Sequence, residues 1–263
     1  MRKNMTSMDK LLAIMASLRD PDQGCPWDRE QSFSSLLPHT LEEAYEVAEL
    51  IEQGKFDKLA NELGDLLFQI VFYAQIAKEQ QLFTFEDVVT EITEKMLRRH
   101  PHVFGDETIS DSQEQTKQWE KLKQQERSDQ SSQSQLDGLN YHLPAVSFAN
   151  KLQKRAALTG FDWANMQDVF AKVEEELQET VEAWQAQDEA ALTEEIGDLM
   201  FVCVNVARYA KIDPETALRK ANRKFEKRFR YMETVIKEEH GSMDALSVEQ
   251  MEAYWNQAKK YTS

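Results

Sequence analysis

Glycine and proline are scarce in this chain, eight and six among 263 residues. So few breakers, beside much Glu, Gln, Lys, Ala and Leu and few β-branched runs, exclude a fold of short strands and tight turns and predict an all-α protein. Cysteine is nearly absent: Cys25 and Cys203 stand alone with no Cys-x-x-Cys spacing. That excludes a disulfide framework and predicts reduced packing residues in a cytoplasmic protein. Long apolar runs are also missing. The N-terminal run at residues 11–18 is bracketed by Asp9, Lys10, Arg19 and Asp20, which suits an amphipathic first helix and neither a signal peptide nor a membrane span. Positive charge is outweighed, 31 Lys and Arg against 47 Asp and Glu, for a net charge of -16. A surface of that sign disfavours nucleic-acid binding, which needs cations to displace counterions. A small anionic substrate remains admissible where a metal and local cations offset the field.

What is abundant is acid, and it is arranged. Glu175, Glu176, Glu179, Glu195 and Asp198 repeat Glu42, Glu43, Glu46, Glu62 and Asp65 at a constant offset of 133 positions. Residues three and four apart share a helix face, so each group aims its carboxylates at one place.

The surrounding chain follows the same duplication. A first helix over residues 8–18 ends in a turn containing Gly24-Cys25-Pro26-Trp27-Asp28. A helix starting near Pro38 and stopping at Gly54 carries the first acids, with proline suited to a first turn. The next, over 57–81, carries Glu62 and Asp65 ahead of the apolar run 66–74. Thr84 with Asp87 forms a capping box for a helix to Arg99, and a last helix from about Asp111 bears Trp119 and Lys123. After a polar stretch, Gly160-Phe161-Asp162-Trp163 echoes residues 24–27 at an offset of 136. An acidic helix over 168–187 and an apolar one from Leu192 follow. Asp213 and Pro214 then open a helix with Asn222, Lys224, Lys227 and Arg228, matching Lys95, Arg98 and Arg99 at an offset of 129. Ser247 with Gln250 caps a final helix bearing Trp255 and Lys259. The expected organisation is residues 1–127, a linker at 128–143, and residues 144–263.

A lone Glu-Glu-x-x-Glu is usually a solvated face. Here the acids occur as two pairs per half, abut the most apolar helices and keep their register in both copies, which solubility does not require. Carboxylates without His or Cys form a hard oxygen set suited to magnesium, manganese or calcium. A di-iron bundle would need Glu-x-x-His, which is missing. Magnesium favours sites shared with substrate phosphates. Lys224, Lys227 and Arg228 could clamp phosphate or form a cationic outer face, and Trp255 could stack on a base or pack. His39, His100 and His102 have no metal spacing and suit capping and loop packing.

These motifs, together with Arg99-His100-Pro101-His102-Val103-Phe104, resemble the all-α nucleoside triphosphate pyrophosphohydrolases, and the duplicated layout resembles the MazG family within them. The resemblance implies tandem helical domains with a four-helix-bundle core assembled by pairing of helices, in a homodimer. It implies Mg2+-dependent (Mn2+ also suits) cleavage of nucleoside triphosphates, standard or altered, to monophosphate and pyrophosphate. Carried over, Glu176, Glu179, Glu195 and Asp198 are metal ligands, as are Glu43, Glu46, Glu62 and Asp65 in the first half. Glu175 or Glu176 is the catalytic base. Lys172, Glu175, Asn222, Lys224, Arg228, Trp255 and Lys259 surround the nucleotide. The first half has His39 for Lys172 and Thr93 for Asn222, so the second half is expected to be the main active one. The alternatives are a phosphohydrolase for dUTP or an alarmone on the same cage, or a non-catalytic helical scaffold. RNA binding through residues 220–230 is disfavoured by net charge.

Overall fold

A computed structural model describes residues 5–106, 109, 111, 114–115, 118–119 and 134–261. Among these residues there are helices and no strand, and the chain divides into two units, Met1–Lys123 and Gln124–Ser263. The first contains α1 (Ser7–Leu18), α2 (Pro26–Glu30), α3 (Phe33–Gln53), α4 (Leu59–Glu79), α5 (Phe85–Arg99) and α6 (Pro101–Phe104). The second contains α7 (Ala145–Ala157), α8 (Met166–Ala186), α9 (Glu189–Tyr209), α10 (Pro214–His240), a 3-10 turn at Met243–Ala245 and α11 (Val248–Tyr261).

Local chemistry sets the helix starts. Thr6 with Asp9 and Thr84 with Asp87 form reciprocal capping boxes. Asn165 and Asp213 accept from the third backbone N–H of α8 and α10. Ser247 and Gln250 cap α11 reciprocally. The start expected at Pro38 is corrected: α3 begins five residues earlier because Ser32 and Ser35 cap each other, leaving Pro38 inside the helix. There the proline ring removes one backbone hydrogen bond that the N-terminal cap and the buried Leu36 compensate. The turn after α1 is closed at Gly24, whose N–H donates to Asp20 O at 2.9 Å. A Cβ there would sit 2.4 Å from Leu18 O, so only glycine fits.

In each unit two antiparallel helices form the frame, α3 with α4 and α8 with α9. In the first, α1 and α5 pack on α4, around a core of Met15, Leu36, Val71, Phe72 and Ile76, none more than 1% exposed. In the second, α7 packs on α9 and α10, and α10 packs on α11, burying Val169, Val202, Val204, Met232, Ile236 and Ala258. Residues 134–143, placed in the linker by sequence, are held on this unit: Leu139 is buried and Arg155 donates to the carbonyls of Gln135 and Asp137. Lys123 and residues 128–133 lie outside the described residues. Trp119 does not stand free, since its Nε1 donates to Arg99 O at 3.0 Å. Cys25 is partly buried, but Cys203 is exposed, against the expectation of packing. Among the described residues no helix is long and apolar enough to cross a membrane.

The two hairpins end their first helix alike. Gly54 caps α3 and Gln187 caps α8, both left-handed at φ 68° and 56°. The conformation costs a residue with a Cβ roughly 1–2 kcal/mol, so Gln187→Gly is expected to stabilise the protein by about 1 kcal/mol. A rise in urea midpoint with unchanged slope would show this; an unchanged or lower midpoint would contradict it.

Candidate active site

Only Gln187 and Asp188 separate α8 from α9, and so short a connection turns the helices back on each other. Glu176 and Glu179 on α8 therefore meet Glu195 on α9, with one carboxylate oxygen from each lying within 4.8 Å of the others. Asp198, one turn along α9, lines a cavity with Glu176 and adds its charge to Glu195. In the first unit the clustered trio is Glu43, Glu62 and Asp65, counterparts of Glu176, Glu195 and Asp198, and Glu46, the counterpart of Glu179, joins through a hydrogen bond with Glu62.

Crowding makes ionisation harder for three of these acids. Glu195 is pushed above the ordinary glutamate range by desolvation, then by the charges of Glu179, Glu176, Glu194 and Asp198. Glu43 is raised by desolvation, then by Asp65, Glu62 and Glu42. Glu46 is raised mainly by its hydrogen bond to Glu62. An all-oxygen donor set with this surplus of negative charge fits a hard divalent cation, which would relieve the repulsion.

The units differ in how they offset that charge. In the second, Lys172 Nζ lies 2.6 Å from Glu175 Oε1 and 2.7 Å from Glu176 Oε1, and these two contacts raise its pKa. Glu176 is buried while Glu175 is exposed. In the first, His39 is 3.8 Å from Glu42 and edge-on to Trp27, packing where capping or loop packing was expected. His100 matches expectation better: Nδ1 contacts Met96 O at 2.8 Å, and its ring packs on Trp119 and His102.

Beside the second cage opens a cavity of about 660 Å³ between α7, α8 and α9. Lys172, Glu176 and Asp198 stand along it; Asn222, Lys224, Arg228, Trp255 and Lys259 do not. Those five lie on α10 and α11, whose packing is chiefly with each other and with α7; Trp255 rests against Phe225, ring centroids 5.1 Å apart. Residues that the sequence reading passed over are in the cavity: Gln153, Asn205 and an ion pair between Arg208 and Asp162.

The duplication is also found by comparison with known proteins. The family model for the MazG nucleotide pyrophosphohydrolase domain matches residues 31–104 and again 165–232. The chain belongs to the MazG family. It is 48% identical over 258 residues to the nucleoside triphosphate pyrophosphohydrolase of Escherichia coli (strain K12), covering 97% of this chain and 98% of that protein. With the nucleoside triphosphate pyrophosphohydrolase/pyrophosphatase MazG of Thermotoga maritima it shares 45% over 251 residues, 95% of each. A Bacillus subtilis protein of unassigned role, YabN, is 44% identical over 249 residues, which is 94% of this chain and 50% of YabN. The two matched segments contain both acid sets, so the duplication is one of MazG domains and the chain is a hydrolase of nucleotides.

Raised carboxylate pKa values fix the sign of the pH response. Folded Glu195, Glu43 and Glu46 hold protons that the unfolded chain has released, so metal-free stability falls as pH rises from the ordinary carboxylate value through the raised ones. A cation competes with those protons. Added magnesium should therefore raise the melting temperature more at pH 7.5 than at pH 5, by differential scanning calorimetry. An increase of equal size at both pH values would contradict a carboxylate cage.

Proposed function

We propose that the chain cleaves nucleoside triphosphates to nucleoside monophosphate and pyrophosphate, using magnesium, or manganese, held chiefly by Glu176, Glu179, Glu195 and Asp198. The observation that carries this reading is the convergence of α8 and α9 carboxylates beside a cavity, inside a matched MazG domain. When bound, the ion supplies neutralisation of phosphate charge. The chain's own groups do the rest. Glu175 or Glu176 orients the attacking water and takes its proton, Glu176 being the one that lines the cavity. Lys172, already against both carboxylates, turns to phosphate oxygen as substrate enters. Lys224, Arg228 and Lys259 supply further cations, Asn222 and Trp255 contact the nucleotide outside the cavity, from α10 and α11, and Glu43, Glu46, Glu62 and Asp65 hold metal in a less active first unit.

The working assembly is a homodimer. Each unit has two long motif-bearing helices where a bundle core needs four, and their outer faces are apolar. On α8, Phe170, Leu177, Val181 and Trp184 are exposed. On α9, Ile196, Met200 and Cys203 follow at intervals of four and three, all exposed. In the first unit Leu37, Leu41, Tyr45, Leu63 and Ile70 do the same. Patches of this extent mark interaction surfaces, and a second copy of the same helices supplies the matching face. The acidic surface makes nucleic acid and membrane poor partners.

The unequal units give a direct test. Glu179→Gln should lower magnesium-dependent pyrophosphate release by roughly 100-fold or more, in line with loss of a group acting on transition-state charge, while Glu46→Gln should retain most of it. Equal losses would overturn the assignment of turnover to the second unit. For the assembly, light scattering should give twice the chain mass, and Leu177→Glu with Met200→Glu should reduce it to one. A wild-type monomer with full activity would refute the dimer.

A further inference from the structure

The cavity of the second unit is more than a gap beside the acids. Its walls are largely apolar, with Phe161, Trp163 and Phe201 among the lining residues, and its volume of about 660 Å³ is in the range of small-molecule sites. Among its lining groups is Asn205, on α9 two turns beyond Asp198 and only 8% exposed. Arg208 Nε donates to Asn205 Oδ1 at 2.8 Å, and the same guanidinium is locked to Asp162 by two further hydrogen bonds. Arginine has only donors, so the amide oxygen must face it. That leaves the Asn205 NH2 turned away from Arg208, with no hydrogen-bond partner among the described residues. Asn205 lines the cavity, so the amide is available to a group that enters and accepts from it.

The first unit shows what the same place looks like when nothing is to enter. In the register of the acids, Asn205 corresponds to Phe72, Phe201 to Phe68 and, in the preceding turn, Trp163 to Trp27. Phe72 is 1% exposed, edge-on to Trp27 and Phe68 at 6.5 and 6.0 Å and covered by the Arg19 guanidinium. The aromatic walls remain, and a phenyl ring occupies the space between them.

We infer that the α7–α9 cavity seats the heteroaromatic base of the nucleotide whose phosphates reach the cage, and that Asn205 is a specificity-determining residue donating to an acceptor on the base edge. The inference rests on the triphosphate reading of the cage. Glu176 and Asp198 belong to both cage and cavity, so a base seated there leaves its phosphates at the acids. Aromatic side chains in the lining suit a base of any kind. The Asn205 amide selects a base edge that offers a ring nitrogen or carbonyl oxygen there over one that offers a donor. The competing occupant, apolar side chains of a second copy, would bury the Asn205 amide unpaired. By this inference Phe72 excludes the base from the first unit, a stronger reason for its lower turnover than His39 alone.

The test uses the full chain with magnesium, nucleoside triphosphates as substrates, and inorganic tripolyphosphate, which has no base, as a competitive inhibitor. Asn205→Leu keeps the volume and removes the donor; Asn205→Phe copies the first unit. Expected is a rise in KM of about tenfold for Asn205→Leu on the preferred substrate, the worth of one hydrogen bond. A larger rise is expected for Asn205→Phe, with the tripolyphosphate inhibition constant unchanged in both. Unchanged KM, or KM and inhibition constant rising together, would overturn the inference, as would a higher melting temperature in both variants with KM unmoved, the sign of a cavity covered by apolar chain. Should Asn205→Phe fail to fold, Asn205→Leu decides alone. Absence of any magnesium-dependent turnover by the wild type is a separate outcome, defeating the triphosphate reading itself and the inference with it.

Discussion

Like charges forced together dominate this molecule. Helix pairs α3–α4 and α8–α9 each carry a cluster of carboxylates whose ionised forms repel, and that repulsion adds to desolvation in raising Glu43 and Glu195 and to the Glu62 hydrogen bond in raising Glu46. Such crowding persists only where the backbone leaves no choice, and here the hairpin connection and the packing of Val169, Val202 and Val204 fix the helices that bear the acids. The two units relieve it differently. The second places Lys172 against Glu175 and Glu176; the first shares a hydrogen bond between Glu46 and Glu62 and has His39 beside Glu42. In the proposed reading a divalent cation completes either arrangement, and a lysine that can move to an anion makes the second the place that receives phosphate.

The acids stand at a boundary. On one side α8 and α9 continue into exposed apolar faces that ask for a second pair of helices; on the other they open into the cavity with Asn205 at its polar end. The three features lie within a few turns of one hairpin, so bundle pairing, metal retention and base selection are mechanically linked in the proposed reading. Loss of pairing would loosen the hairpin, and a looser hairpin would hold neither the cation nor the geometry of the cavity.

The duplicated acid register was legible because a helix imposes a fixed spacing on ligands, and the capping boxes because their chemistry is local. Pro38 misled the placement of the α3 start because proline is a better first-turn residue than an interior one, while the Ser32–Ser35 cap, with no acid in it, is a weak sequence signal. The cavity was not legible by periodicity, since Asn205 sits in an apolar run that reads as plain core. Setting the halves against each other at the offset of the acids would have found it, because one copy has Phe72 where the other has an amide. The places of Lys224, Arg228 and Trp255 depend on how α10 and α11 pack, and spacing within a helix says nothing of that.

The central claim is that the carboxylate cage performs metal-dependent pyrophosphate release. A panel of nucleoside triphosphates incubated with magnesium, with products resolved as pyrophosphate or orthophosphate for the wild type and for Asp198→Asn, tests it most directly. The account predicts monophosphate and pyrophosphate in equal amounts, abolished by chelation and nearly abolished in Asp198→Asn. Orthophosphate as the product, or turnover untouched by Asp198→Asn, would contradict it.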